Sequence, residues 1–445
     1  MAATRLIAHD HPDAIVARRG SEAITAAQFL ADVRRLAGYL PESGHVLNVC
    51  TDRYRFAVGI YAALLRKTVS LLPPAHTPEM VERLREFAPD VVCLADGQVD
   101  IALPRIDCPA DAAPVAGPFA VPEIDDEQVV AHVFTSGSTG LPQRHTKTWE
   151  RLVRNVRGEA RRLGLVDADR RASILGTVPP QHMYGFETTV MMPLQSSSAF
   201  DAGRPFYPAD ITAALAALPR PRLLVSTPFH LRTLLDAGLA CPPADLVVSA
   251  TAPLSAGLAA QAEAAFGCAL LEIYGMTETG QLATRRTTAG DTWQAFDGIE
   301  LSTDSGPVIA AGGHIETPVA LGDLVELVDA THFRLLGRGA DMVNIAGKRT
   351  SLGYLNHQLL AIDGVADGVF VLPDHEAADG VTRLAAIVVA PGRTRQQILG
   401  ALRTRIDPVF LPRPLVLVDA LPRNATGKLP RETLLAMLPG HAEAG

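Results

Sequence analysis

The 445-residue chain lacks any apolar run of membrane-spanning length; a stretch such as Leu384-Ala-Ala-Ile-Val-Val-Ala390 is only a strand. It has no basic excess. Lys and Arg number 40 against 48 Asp and Glu, a formal net charge of −8, which argues against a nucleic-acid partner. It has few cysteines, and these form no pattern. Cys50, Cys93, Cys108, Cys241 and Cys268 are scattered, odd in number and without a metal-type pair, which fits a reducing, cytoplasmic setting. Met1 to Asp13 holds no apolar core followed by a cleavage site, so no secretory signal is expected. There is no internal repeat. A Walker-type site is also missing: neither Ala346-Gly-Lys-Arg nor Thr426-Gly-Lys-Leu has the upstream glycine and following Ser or Thr that it needs.

What is present is a hydrophobic content of 48% with 20% charged residues, ample for a buried core, over a length that predicts two or three domains. Ala26–Leu40, Arg53–Lys67 and Pro78–Phe87 read as helices, and His45–Cys50, Thr68–Pro73 and Val91–Ala95 as strands between them. Such alternation predicts a parallel, helix-covered sheet. A Pro-, Ala- and Asp-rich connection spans Ala102–Val121. On the predicted helix Trp149–Arg162, Arg151, Arg154, Arg157 and Arg161 share one face, either a solvated surface or a docking patch for an acidic partner. Ser173–Val178, Arg222–Ser226, Asp245–Ser249 and Ala269–Ile273 read as strands, each running into a loop of special composition. Ser255 caps a helix to Phe266, with Gly267 as its stop. Ligands bind off the carboxyl ends of such strands, so these loops are expected to gather around one cleft. Strands at Leu324–Val328, Phe333–Leu336, Gly368–Leu372, Arg383–Val389 and Leu415–Val418 follow, with a helix over Arg395–Ile406. The last of these form an α+β unit of about a hundred residues.

One stretch carries chemistry. Val129–Phe134 reads as a mostly buried strand, and Thr135-Ser136-Gly137-Ser138-Thr139-Gly140 then supplies four hydroxyls and two glycines in six residues. Glycine lets the backbone bend so that successive N–H groups converge on an anion, and hydroxyls add donors of adjustable direction. The same composition suits a flexible surface turn, and the stretch alone does not choose between them.

Four loops stand in order: Thr135–Pro142, Tyr274–Gly280, Gly337–Arg349 and Leu421–Lys428. Together they resemble the motif series of the adenylate-forming superfamily, which includes acyl- and aryl-CoA synthetases, nonribosomal adenylation domains and luciferases. The resemblance runs from about Ala23 to the C-terminus. The short length and the variant Thr-Ser-Gly-Ser-Thr-Gly-Leu-Pro-Gln with Lys-Thr-Trp resemble the free-standing ligases of aryl-polyene and xanthomonadin-type pigment pathways. Those load an aromatic acid onto an acyl carrier protein. The resemblance implies ATP-dependent activation of a carboxylic acid, aromatic and hydroxybenzoate-like, as an acyl-adenylate. Transfer to a phosphopantetheine thiol follows, with ATP and Mg²⁺ as cofactors.

Residue by residue, the resemblance implies that Thr135, Ser136, Gly137, Ser138, Thr139 and Gly140 hold the β- and γ-phosphates. Thr277 bonds the α-phosphate, and Glu278 is the Mg²⁺ ligand, a role that suits carboxylate oxygen. Tyr274 stacks on adenine beside Gly275, and the Val248–Leu254 loop with Thr251 and Ala252 flanks it. Asp323 accepts from the ribose hydroxyls, with Arg338 as its partner. Lys428 enters the cleft from the small domain, bridges the carboxylate and the α-phosphate, and then swings away. His182 and Tyr184 sit at the mouth of the acyl pocket, with Phe186, Ser226 and Phe229 as further lining. Tyr274 also reads as a buried core tyrosine, and His182 as a satisfied structural histidine.

Several positions depart from the family pattern. Gln143 stands where most members carry a lysine, and Lys147 or His145 are the candidates to replace that cation. Ala340 stands where an Asp or Lys marks the hinge, Tyr354 replaces a Glu, and Ala250 and Thr251 replace smaller residues. The expected fold is α/β. A large N-terminal domain, 1–337, has helix-covered, mostly parallel sheets, and a small mobile α+β domain spans 338–445. The carrier protein is expected in trans, meeting either the Arg151–Arg162 face or Arg403, Arg405 and Arg413. A rival enzyme reading is a ligase using free coenzyme A. A rival of another class is a non-catalytic nucleotide-binding protein, against which Glu278, Asp323, Arg338 and Lys428 stand together.

Overall fold

Most of the strand and helix signals resolve into two large sheets with helices between and around them. The structure, a computed structural model, describes residues 2–110, 119–136, 142–166, 171–304, 306–338, 342–345, 348–373, 383–423 and 429–439. The first sheet has six strands in the order Pro142–Thr148, Val129–Ser136, Thr68–Leu72, Gly44–Asn48, Val92–Ala95 and Arg105–Asp107. All pair in parallel except the edge strand Pro142–Thr148, which runs antiparallel to Val129–Ser136.

The second sheet has eleven strands. Its order is Asp323–Leu327, His332–Arg338, Thr292–Ala295, Gly280–Arg285, Leu270–Met276, Leu246–Ser249, Arg222–Ser226, Ser173–Gly176, Ala199–Asp201, Ile15–Arg19 and Glu22–Thr25. The run from Leu270–Met276 to Ile15–Arg19 is parallel, and the flanking strands are antiparallel. The central parallel strands Leu246–Ser249, Arg222–Ser226 and Ser173–Gly176 are short and mostly apolar because both faces are covered. Leu224, Val247 and Leu270 pack into one cluster with the helices Pro208–Ala217, Pro228–Asp236 and Ala256–Phe266. Their neighbours Leu223, Val225 and Val248 face the opposite way, towards Trp149, Leu152, Val156 and Phe186.

Local chemistry fixes the element ends. Ser255 accepts from the Leu258 amide at 3.2 Å, and Gly267, at φ +69°, ends that helix. The smaller α+β part holds the helices Leu352–Leu360 and Arg395–Arg403 and a sheet of Asp367–Val371, Ala385–Val389 and Leu415–Leu417 around its own core. Among the described residues no helix is long and apolar enough to cross a membrane.

Two local expectations need correction. The strand Ala269–Ile273 does not stop before Tyr274 but runs on through Gly275 to Met276, in a hairpin with Gly280–Arg285. A Cβ on Gly275 would lie 2.5 Å from the Gly280 carbonyl oxygen, so only glycine lets the two strands close here. The segment after Pro179 is a loop only as far as His182. Met183–Phe186 is α-helical and continues as a π-helix over Glu187–Met191. On Trp149–Arg162, Arg154 and Arg161 are exposed and Arg151 and Arg157 half-buried, and each has a local partner. Arg151 pairs with Glu316, and Arg154 with Glu150 at 3.2 Å; Arg161 lies 3.6 Å from Asp297, and Arg157 donates to Gln195 at 3.0 Å.

Candidate active site

The hydroxyl- and glycine-rich stretch sits between two antiparallel strands. Ser136 pairs with Pro142 and Thr135 with Gln143; Gly137, Ser138, Thr139 and Gly140 lie outside the described residues. Side chains alternate along a strand, so Gln143, His145 and Lys147 share one face of Pro142–Thr148. That face passes from exposed Gln143 to half-buried His145 to Lys147, which is 8% exposed.

The face looks towards the turn that follows Met276. Lys147 Nζ donates to the Thr277 carbonyl oxygen at 2.5 Å. His145 Nε2 lies 3.9 Å from Glu278 Oε1 and 3.2 Å from Thr135 Oγ1. Thr277 is half-buried and the Glu278 carboxylate is exposed. On the other side of the turn, buried His314 meets the Thr279 carbonyl oxygen at 2.9 Å. Both residues named as replacements for the cation missing at Gln143 therefore reach the Thr277–Glu278 turn. Burial pushes the Lys147 ammonium below its ordinary value, while Glu187 and Glu278 act to keep it charged.

Three residues before Thr277 on the same hairpin, the Tyr274 phenol donates to Asp323 Oδ2 at 2.6 Å. Tyr274 is 8% exposed, with Trp293 and Phe333 each 5.7 Å from its ring. Asp323 is paired in register with Arg338, so the backbone brings the third expected residue to the same place. Thr251 occupies φ +80°, a region costly for a β-branched residue, and its buried Oγ1 has no hydrogen-bond partner among the described residues. Ala252 follows it, half-buried, at the end of the neighbouring strand Leu246–Ser249.

The expected acyl-pocket residues divide between two faces of the sheet. Tyr184 is buried and donates to the Val248 carbonyl oxygen at 3.2 Å, and Phe186 is buried in the same cluster. Gly185 makes this possible, because a Cβ there would lie 2.0 Å from the Pro179 oxygen. Ser226 lies two residues beyond Leu224 on the other face, its hydroxyl 3.1 Å from Thr177 Oγ1, and Phe229 packs on His230. His182 is half-buried at the start of the Met183–Phe186 helix. Lys428 and Ala340 lie outside the described residues.

Behind the turn is a buried polar group that the sequence reading missed. Glu187 Oε1 accepts from Asn155 Nδ2 at 2.6 Å, and Gln281 Nε2 donates to Thr188 Oγ1 at 2.8 Å. Glu159 is fully buried, its carboxylate lying beside the side chains of Thr188 and Gln281. Burial pushes Glu159 up to about 8 and Glu187 up to about 7. The available signal was an acid inside an otherwise uncharged helical run, Phe186-Glu-Thr-Thr-Val-Met-Met.

Residues 5–354 match the family model described as AMP-binding enzyme, and residues 357–428 match the AMP-binding enzyme C-terminal domain. The chain is 30% identical over 298 residues to a 4-coumarate–CoA ligase of Rhodobacter capsulatus, covering 66% of this chain and 73% of that one. It is 26% identical over 358 residues to a 3-hydroxybenzoate–CoA/4-hydroxybenzoate–CoA ligase of Thauera aromatica, covering 71% and 68%. Among solved structures, o-succinylbenzoate coenzyme A synthetase of Bacillus subtilis, in complex with ATP and magnesium ion, superposes with a TM-score of 0.78 at 17% identity. That superposition covers 95% of this chain and 96% of the other, and it shows a shared fold.

Proposed function

The chain belongs to the AMP-binding enzyme family, and on that premise we propose that it activates an aromatic, hydroxybenzoate-like carboxylic acid with ATP and passes the acyl group to the phosphopantetheine thiol of an acyl carrier protein. The observation that carries this reading is the meeting of the phosphate-loop hairpin with the Thr277–Glu278 turn, through Lys147 and His145. A carboxylate oxygen attacks the α-phosphorus of ATP; the bond to the bridging oxygen breaks and pyrophosphate leaves. The thiol sulfur then attacks the acyl carbonyl, loses its proton, and expels AMP.

The first step gathers negative charge on phosphorus, and positioned donors and cations must offset it. Thr135 to Gly140 grip the β- and γ-phosphates, and Thr277 bonds the α-phosphate. Tyr274, Gly275, Thr251 and Ala252 flank the adenine, and Asp323 and Arg338 take the ribose. The donors at the turn fit magnesium. Glu278 offers one exposed carboxylate, and no group of three His, Cys, Asp or Glu stands ready to cage an ion among the described residues, so phosphate oxygens and water would complete its shell. Bound there, the ion would neutralise phosphate charge. We divide the chain at 337/338 and assign Lys428, on the smaller unit, to the bridge between carboxylate and α-phosphate. His182, Tyr184, Phe186, Ser226 and Phe229 remain the acyl-side residues.

The names of the relatives, 4-coumarate and hydroxybenzoate ligases, support an aromatic acid. A carrier protein is supported by the exposed Arg403, Arg405 and Arg413 on the smaller unit. A second reading, free coenzyme A as acceptor, is favoured by the same relatives' names. Thioester formation with holo-carrier protein and with coenzyme A, measured side by side at limiting acceptor, tests the choice. A large preference for coenzyme A would overturn the carrier reading and leave adenylation intact.

A further inference from the structure

Burying a lysine removes its charge from water, and an apolar residue of similar volume would pack at lower cost. Lys147 is nevertheless buried, paired in register with Ala131. Its ammonium holds the Thr277 carbonyl oxygen at 2.5 Å. The charged groups that face it are Glu187 and Glu278, which attract it, and Arg151, which repels it. Glu187 comes from the π-helix and is itself fixed by Asn155 on the Trp149–Arg162 helix. Gly280, at φ +75°, lets the hairpin lie against this pair: a Cβ there would come within 2.9 Å of Asn155 Nδ2 and 3.4 Å of Glu187 Oε1. π-Helical turns of this kind recur at functional sites.

We propose that Lys147 is a positioning residue of the adenylation site: buried and bonded to the Thr277 carbonyl oxygen, it clamps the Thr277–Glu278 turn and returns to the site the positive charge that Gln143 leaves out. The geometry behind this is the strand's two-residue period. Positions 143, 145 and 147 lie on one face of the strand, and the lysine stem carries the ammonium to the Thr277 carbonyl oxygen. Thr277 and Glu278 are thereby aimed by a side chain that needs no contact with substrate. The inference rests on the adenylation reading, but it makes demands of its own.

The test uses the full chain and the variants Lys147→Met, Glu187→Gln and the double variant Lys147→Met/Gln143→Lys. ATP–pyrophosphate exchange, ATP binding by equilibrium dialysis, and melting temperature are read for each. Removing one well-placed electrostatic contact typically costs about 10²-fold in kcat. Lys147→Met is therefore expected to lower exchange kcat about 100-fold and weaken ATP binding about tenfold, while the KM for the acid stays within about threefold. Gln143→Lys should restore at least about tenfold of the loss in kcat. Glu187→Gln, which keeps the side-chain size, should shift the same two quantities in the same direction, by about tenfold in kcat. A purely structural lysine would lower the melting temperature, leave kcat per folded molecule unchanged, and show no rescue. That result, or exchange unchanged in Lys147→Met, overturns the assignment. Should Lys147→Met fail to fold, Glu187→Gln decides alone: unchanged exchange and ATP binding would overturn the proposal. Wild-type protein that binds ATP but exchanges with no acid would sink the activation reading only. The lysine assignment would then stand on whether Lys147→Met weakens ATP binding and Gln143→Lys restores it.

Discussion

The phenol of Tyr274 and the carboxylate of Asp323 meet at 2.6 Å across the antiparallel part of the large sheet. The contact ties the strand that carries the Thr277–Glu278 turn to the strand pair that ends in Arg338. Tyr274 is thus a core tyrosine whose polar tip orients the acid expected to take the ribose. A hydrogen bond to a charged group is worth about 1.5–3 kcal/mol. Tyr274→Phe should therefore raise the KM for ATP about tenfold, with kcat within about threefold, as steady-state exchange kinetics would show. A fall in kcat with unchanged KM would mean that the phenol acts on the chemistry rather than on nucleoside binding.

The buried acid Glu159 predicts a pH-dependent stability. Its ordinary value is 4.5 and burial pushes it up to about 8, so between those limits the folded state keeps a proton that the unfolded state has released. Stability then declines as pH rises through that window, because the folded form binds more protons. Glu187, pushed up to about 7, adds to the same trend. Glu159→Gln removes the larger part. The variant's melting temperature should fall less than wild type's between about pH 6 and pH 9, a difference on the order of 2–4 kcal/mol at the alkaline end. Equal slopes would mean that Glu159 is ionised and solvated at neutral pH.

The two arginine groups should separate in function. On the Trp149–Arg162 helix, Arg151 and Arg161 are bound to Glu316 and Asp297, so reversing their charge should cost stability, about 1 kcal/mol each or less, and leave carrier affinity unchanged. Arg403, Arg405 and Arg413 are exposed. Reversing all three should raise the KM for a carrier protein about tenfold and spare pyrophosphate exchange. Thioester assays at varied carrier concentration distinguish the two sets; an equal loss of exchange would remove the docking role.

Much of this fold could be read from local chemistry. Trp149–Arg162 was legible to the residue because a sharp apolar stripe opposes its arginines, and Ser255 and Gly267 marked their helix by capping chemistry. The strand Pro142–Thr148 was not legible. The face that meets the Thr277–Glu278 turn carries Gln143, His145 and Lys147, so the usual apolar alternation is missing. Tyr274 to Met276 reads as loop in the sequence because Gly275 interrupts the apolar run, although that glycine is what lets the strand pair tightly. Glu187 escaped because a buried acid looks like an exposed one until its partner Asn155, 32 positions back, is brought to it.

The central claim is acid activation by ATP with Lys428 at the reacting bond. Its most direct test is ATP–pyrophosphate exchange across benzoates, hydroxybenzoates, cinnamates and short fatty acids, with wild type and Lys428→Ala. The account predicts exchange that depends on an aromatic acid and falls by at least about 10²-fold in Lys428→Ala, while ATP binding persists. No exchange with any acid, or an undiminished rate in Lys428→Ala, would contradict it.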